Sequence, residues 1–181
     1  AAKGKAVVKV CFIGFKSILD RNSGASLELR NVLEGLSTRG VTCSSFSFNC
    51  FDMGDEYISD ESLSSELNPS VGQGRIFHYD LNSVRHYMLV GSSKDTMKLT
   101  HEDLECFNSY AKVFLAEEKP DVVIFFGSNE LVNVLGFAKS QGAKVVFYAG
   151  TASYDKSREP VFKIADKVVV PSKFISNLYR K

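Results

Sequence analysis

The sequence predicts a doubly wound α/β domain: three layers, with a mostly parallel sheet between helices. Two observations predict it. Short, β-branched, almost continuously apolar runs recur along the chain, as strands covered on both faces require. Between them lie segments whose apolar residues return every three or four positions, the period of a helix packed on one side. The 181 residues, 44% hydrophobic and 24% charged, suit one domain spanning 1–181, whose core stands without disulfides.

The first run is Ala6-Val7-Val8-Lys9-Val10-Cys11-Phe12-Ile13, and Gly14 is expected to end it. A polar loop follows through Asp20-Arg21-Asn22-Ser23-Gly24. Leu29, Val32, Leu33 and Leu36 then fall at i, i+3, i+4 and i+7 of a helix. Glu28, Arg30, Asn31 and Glu34 take its other face, and Gly40 closes it. Residues 41–48 give a second strand, so the chain opens with one βαβ unit.

Residues 52–74 break the pattern. Asp52, Asp55, Glu56, Asp60, Glu61 and Glu66 accumulate there with no Lys or Arg before Arg75. The composition predicts an acidic, mobile surface insertion. Residues 75–81 and 85–90 predict short strands. Thr100-His101-Glu102-Asp103 predicts a capping box, with Asp in the place usual for Glu. Leu104, Phe107, Ala111, Phe114 and Leu115 form the apolar stripe of the helix it starts, and Lys119-Pro120 stops that helix. A strand over 122–126, a helix over 129–141 and a strand over 144–148 follow. The element over 154–164 is expected to be irregular, interrupted by Pro160. A strand over 167–170 and a helix over 173–181 complete the chain.

The composition excludes several functions. A net charge of +1 gives no long-range attraction to nucleic acid or an anionic surface. No run of about 18 apolar residues is present to span a bilayer. The first residues are polar, unlike a secretory signal. Cys11, Cys43, Cys50 and Cys106 form no C-x-x-C pair and have no histidine at zinc-ligand spacing, so the expectation is reduced, buried thiols in a cytoplasmic protein and no metal site.

In such sheets, ligands bind beyond the carboxyl ends of the strands, at the point where strand order reverses. With a Rossmann-like order, the strands at Val8 and Val123 lie side by side there. Segments 14–24, 127–130 and 149–153 then converge. From them come the candidate binding residues Lys16, Ser23, Gly24, Ala25, Ser128, Asn129, Glu130, Gly150 and Thr151. The small residues let a ligand approach a helix N-terminus, whose N–H groups favour anions. Lys16 can meet a phosphate or carboxylate, and Glu130 a hydroxyl or proton. Each also has a plain structural role: Gly24 a turn, Ser23 or Ser26 a cap, Asn129 an N-cap, Glu130 a partner for the helix dipole, Lys16 a solvated charge. Their shared location favours binding. The catalytic residues stay unassigned. His78, His86 and His101 fall outside these loops. G-x-G-x-x-G, G-x-S-x-G, H-E-x-x-H and the P-loop are all absent, which disfavours a dinucleotide oxidoreductase.

Four stretches resemble glycosyltransferase family 4. They are Asn22-Ser23-Gly24-Ala25-Ser26-Leu27-Glu28-Leu29 running on to Arg39-Gly40-Val41; Lys119-Pro120-Asp121-Val122-Val123; Gly142-Ala143-Lys144-Val145-Val146-Phe147; and Ala165-Asp166-Lys167-Val168-Val169-Val170-Pro171-Ser172-Lys173-Phe174. The last is the most specific. The resemblance covers most of the chain except 50–100. It implies the N-terminal, acceptor-side half of a GT-B fold, with Gly24 and Ala25 in the cleft wall. It also implies a missing C-terminal donor domain that binds the nucleotide sugar and carries paired Glu residues. The whole protein would move a sugar to a glycan or lipid-linked acceptor with retention, needing no cofactor or metal, and this half alone would be inactive. The implied setting is cytoplasmic, with peripheral contact at the inner membrane face, although no strong basic amphipathic face is evident. The chain departs from the family where many members carry histidine: here stand Ala149-Gly150 and Gly127-Ser128-Asn129. The roles of those histidines do not transfer. A non-catalytic ligand-binding module on the same fold is the alternative.

Overall fold

The computed structural model describes residues 7–51, 65–127, 129–150 and 159–179. Among them one sheet holds β1 (Lys9–Lys16), β2 (Thr42–Cys50), β3 (Ile76–Leu81), β4 (Val84–Leu89), β5 (Val122–Phe125), β6 (Lys144–Tyr148) and β7 (Lys167–Val169). The helices are α1 (Gly24–Ser37), α2 (Pro69–Gly72), α3 (His101–Glu118), α4 (Val132–Ser140), α5 (Glu159–Ile164) and α6 (Lys173–Tyr179). Strand order is β3-β4-β2-β1-β5-β6-β7. All neighbours are parallel except β3 and β4. The chain grows outward from β1 through β2 and β4, then restarts on the other flank with β5. Cys11 pairs with Val123, so β1 and β5 form the expected switch.

Alternation along the strands fills both faces. On one face Val10, Phe12, Cys43, Val84, Ile124 and Tyr148 meet Leu29 and Leu33 of α1. On the other, Cys11, Ile13, Phe46, Phe48, Val123, Phe125 and Phe147 meet Phe107, Ala111, Phe114 and Leu115 of α3, and Leu135 and Ala138 of α4. The predicted capping box forms: Thr100 Oγ1 accepts from Asp103 N at 3.1 Å, and Asp103 Oδ2 accepts from Thr100 N at 2.9 Å. Asn82 and Ser83 turn β3 into β4 with φ of 49° and 64°, the left-handed pair of a two-residue hairpin.

Several expectations needed correction. Gly14 does not end β1. The strand runs on to Lys16 because Phe15 packs its ring 5.0 Å from Phe107 and 6.3 Å from Phe48. A Cβ at 14 would sit 2.6 Å from the Phe12 ring, so any larger residue there makes that ring shift. On α1, Val32 remains 38% exposed. Arg30 and Glu34, expected outside, have side chains only 15% and 21% exposed.

Of the acidic insertion, 52–64 lie outside the described residues. Its remaining stretch is anchored. Leu67 is fully buried with Phe51, Met88 and Val90. The buried Asn49 side chain donates to Leu67 O at 2.7 Å and accepts from Gly91 N at 2.9 Å. Pro160 starts α5 as its second residue, where no intrahelical N–H is needed; 154–158 lie outside the described residues. Asn129 opens a 3-10 turn, Asn129–Leu131, and is not the N-cap of α4; Leu131 holds that position without a side-chain cap.

Candidate functional site

The loop after β1 is built to deliver the start of α1 to the switch. Ser17 N donates to Cys50 O at 2.9 Å, fastening the loop to the end of β2. Ser26 Oγ donates back to Ser17 O at 3.2 Å. Asp20 is buried and accepts from Asn22 N at 2.9 Å. Ser23, also buried, caps α1 by accepting from Ser26 N at 3.4 Å. The next residue, Gly24, is exposed, and a Cβ built on it would meet nothing within 4 Å. The helix N-terminus therefore opens to solvent beside the switch, with its dipole pointing outward.

The loop after β6 meets it. A Cβ added to Gly150 would lie 3.7 Å from Ala25 Cβ and 3.1 Å from the Tyr148 ring. Tyr148 Oη donates to Glu28 Oε2 at 2.5 Å, joining β6 to the first turn of α1. Burial, then the hydrogen bond and charge of Glu28, hold the phenol well above its ordinary range. Ser23, Gly24, Ala25 and Gly150 are thus assembled as one patch. Lys16 stands at the same carboxyl edge, its Nζ 3.7 Å from Asp20 Oδ2. Asn129 and Glu130 are exposed beyond β5. Glu130 lines a cleft of about 240 Å³ with Phe15, Thr96, Leu99 and Leu104, on the α3 side of the sheet. Ser128 and Thr151 lie outside the described residues.

No protein-family model matches the sequence, and no curated protein matches it. Solved structures do match. Sucrose-phosphate synthase from Thermosynechococcus elongatus superposes with a TM-score of 0.60 over 96% of this chain and 44% of that one, at 12% identity. UDP-GlcNAc 2-epimerase from Methanocaldococcus jannaschii gives 0.52 over 96% and 42%, at 18% identity. MurG from Acinetobacter baumannii gives 0.51 over 90% and 41%, at 15% identity.

The fold is that of one GT-B half. This chain spans less than half the length of each of those proteins. At such identities the likeness concerns the fold.

Within this GT-B half, the three histidines stand apart from the switch. His101 and His78 are exposed. His86 of β4 is buried beneath α1, its Nδ1 2.8 Å from Ser45 Oγ. Its Nε2 has no hydrogen-bond partner among the described residues. Sequence reading missed this pair because its members lie 41 positions apart and both read as ordinary polar strand residues. Burial, and after it the charge of Arg30, push the imidazole down to about 4. The group folds neutral, while the unfolded chain takes a proton below its ordinary value. Stability is therefore full above about pH 6.5 and falls as pH drops toward 4. The expected loss across that window is about 2–3 kcal/mol. Urea titrations at stepped pH check it, and His86→Gln should flatten the slope.

A depression of about 380 Å³ lies at the opposite, amino ends of β2 and β4, lined by Thr42, Ser44, Asp80, Arg85, Tyr87 and Glu118. Its main charges are mutually paired: Arg85 Nε and Nη2 donate to the two Asp80 oxygens at 2.8 and 3.0 Å. Far from the switch, it adds nothing to the site. Among the described residues no cluster of three or more His, Cys, Asp or Glu is arranged to hold a metal. None of their helices is long and apolar enough to cross a membrane. Cys11, Cys43 and Cys50 are buried free thiols, and Cys106 is half-buried. Burial pushes the Cys11 thiol up to about 12.

Proposed function

We propose that this chain is the acceptor-side half of a two-domain sugar-nucleotide enzyme, a cytoplasmic glycosyltransferase resembling family 4. The observation that carries the reading is the open start of α1: an uncovered Gly24 at the β1/β5 switch, gathered with Ser23, Ala25 and Gly150. The N–H groups of a helix start suit the phosphates of a nucleotide sugar or the hydroxyls of an acceptor. Glu130, beside its cleft, suits an acceptor hydroxyl. The names of the superposed proteins, sucrose-phosphate synthase and UDP-GlcNAc 2-epimerase, concern sugars and a UDP sugar, which supports the substrate class. The family resemblance adds transfer with retention to a glycan or lipid-linked acceptor, peripheral membrane contact, and no metal or cofactor. Ser128 and Thr151 join the proposed wall on sequence grounds.

In this reading most of the transition-state charge is stabilised by the other half, so the isolated chain should not turn over. The test is hydrolysis and transfer over a panel of nucleotide sugars, with the two-domain protein beside this chain. Gly24→Trp in the two-domain form is the sharper probe. Gly24 is exposed and a Cβ there meets nothing within 4 Å, so unfolding temperature should hold. Activity should fall about a hundredfold as the ring displaces the ligand. Full activity in that variant removes Gly24 from the site.

A non-catalytic binding module is the second reading. The Lys16–Asp20 ion pair favours it, because it engages the candidate set's cation inside the protein. Binding of sugar nucleotides without turnover by the two-domain form would select it.

A further inference from the structure

Among the described residues the sheet ends on β3, and no strand of theirs pairs with its outer edge. The hydrogen-bond phase of this edge can be read. In a two-residue hairpin the residues flanking the turn, Leu81 and Val84, bond to each other across the ladder. The far end keeps this phase, since Val90 N donates to Arg75 O at 2.8 Å. Phe77, Tyr79 and Leu81 therefore spend their backbone groups on β4. Ile76, His78 and Asp80 turn theirs outward.

Three of the usual edge protections, a bulge, a proline and a lysine, are missing from β3. The β3–β4 register runs unbroken from Ile76 to Leu81, with no bulge, and β3 contains no Pro and no Lys. Ile76 is 42% exposed. An edge of this kind is a template for another strand.

We propose that β3 pairs antiparallel with β3 of a second copy of this chain, joining two sheets about a two-fold axis at Tyr79. The occupant follows from self-complementarity. In this register His78 stands opposite Asp80 of the other copy, twice over, and these are the outward-bonding positions. Phe77 stands opposite Leu81, so half-buried apolar side chains meet on the other face. Tyr79 faces its own copy at a position that makes no backbone bonds across the new seam. The seam lies on the sheet edge beyond β4 and β2, so the β1/β5 switch stays open in both copies. This surface is independent of the proposed function.

The test is sedimentation equilibrium of the full chain across a concentration series, with three variants. The wild type should approach twice the monomer mass. His78→Asp sets like charges opposite each other twice and should weaken association about tenfold. His78→Lys sets a cation opposite Asp80 and should preserve it. Tyr79→Cys checks the register: the two Cα atoms of a non-bonded antiparallel pair are close enough for a disulfide. It should cross-link under mild oxidation well ahead of a surface control, Gln73→Cys. Circular dichroism confirms that each variant folds. A wild type that stays monomeric at every concentration overturns the proposal. So does a folded His78→Asp that dimerises like wild type, or a Tyr79→Cys that cross-links no faster than the control.

Discussion

Replacing Phe107 with alanine should lower stability by about 3–5 kcal/mol. Phe107 is fully buried where α3 crosses the sheet. Its ring lies 5.0 Å from that of Phe15, 5.2 Å from Phe46 and 4.9 Å from Phe48. The substitution removes apolar area and leaves a cavity walled by three rings that cannot collapse together, because β1 and β2 fix their spacing. Aromatic geometry adds to the loss beyond area. A thermal unfolding midpoint should fall by roughly 6–20 °C for a domain of this size. Phe107→Leu, which fills most of the space, should cost about a third as much. Equal losses for both would mean that ring geometry, not volume, governs the site.

The second large effect belongs to Asp103. Its carboxylate is buried at the head of α3 and accepts from Ser92 N and Oγ, and from Thr100 N and Oγ1. One side chain thus ends the β4 loop and starts the helix. Asp103→Ala should cost about 1–3 kcal/mol, since it removes a cap and the hydrogen bonds that Ser92 and Thr100 make to a carboxylate. Asp103→Asn should recover part of that loss. Burial on its own would raise this carboxyl, but the hydrogen bonds from Ser92 and Thr100 outweigh it and the net shift is downward. The stabilisation is complete above the ordinary carboxylate range and disappears as pH falls through the lowered folded value. Wild type should therefore lose this contribution in acid, below the window in which His86 titrates, and Asp103→Ala should show no such acid limb.

The strands and the switch were legible because their physics is local. Val122–Phe125 and Lys144–Tyr148 are short and β-branched with turns on either side, and burial on both faces demands that pattern. The capping box at Thr100 and Asp103 was legible because its members sit three positions apart. What escaped depends on distant partners. Nothing near Gly14 says that Phe15 will find Phe107, and that contact carries β1 two residues further. Glu28 and Tyr148 bond across 120 positions. Leu67 sits in an acidic stretch whose composition argues for solvent, yet Asn49 and Met88 hold it inside. At the site, the convergence of Gly24 with Gly150 followed from topology. The removal of Lys16 toward Asp20 and the placement of Glu130 on the α3 side did not, because both turn on side-chain direction.

The central position of β1 also shapes how the chain is born. It leaves the ribosome before the other strands of this sheet, and β2 can join it early. Its other flank must wait for β5: Lys9 N donates to Asp121 Oδ2 at 2.8 Å across 112 positions. Until then Val10, Cys11, Phe12 and Ile13 lie on a half-sheet whose second edge has no neighbour. Closing so long a loop adds little equilibrium cost but slows the search. The nascent amino-terminal half is the stage at which this domain is most prone to aggregate and most in need of a chaperone. Truncations ending before Val122 should be recovered in the insoluble fraction, whereas chains extended past Tyr148 should not.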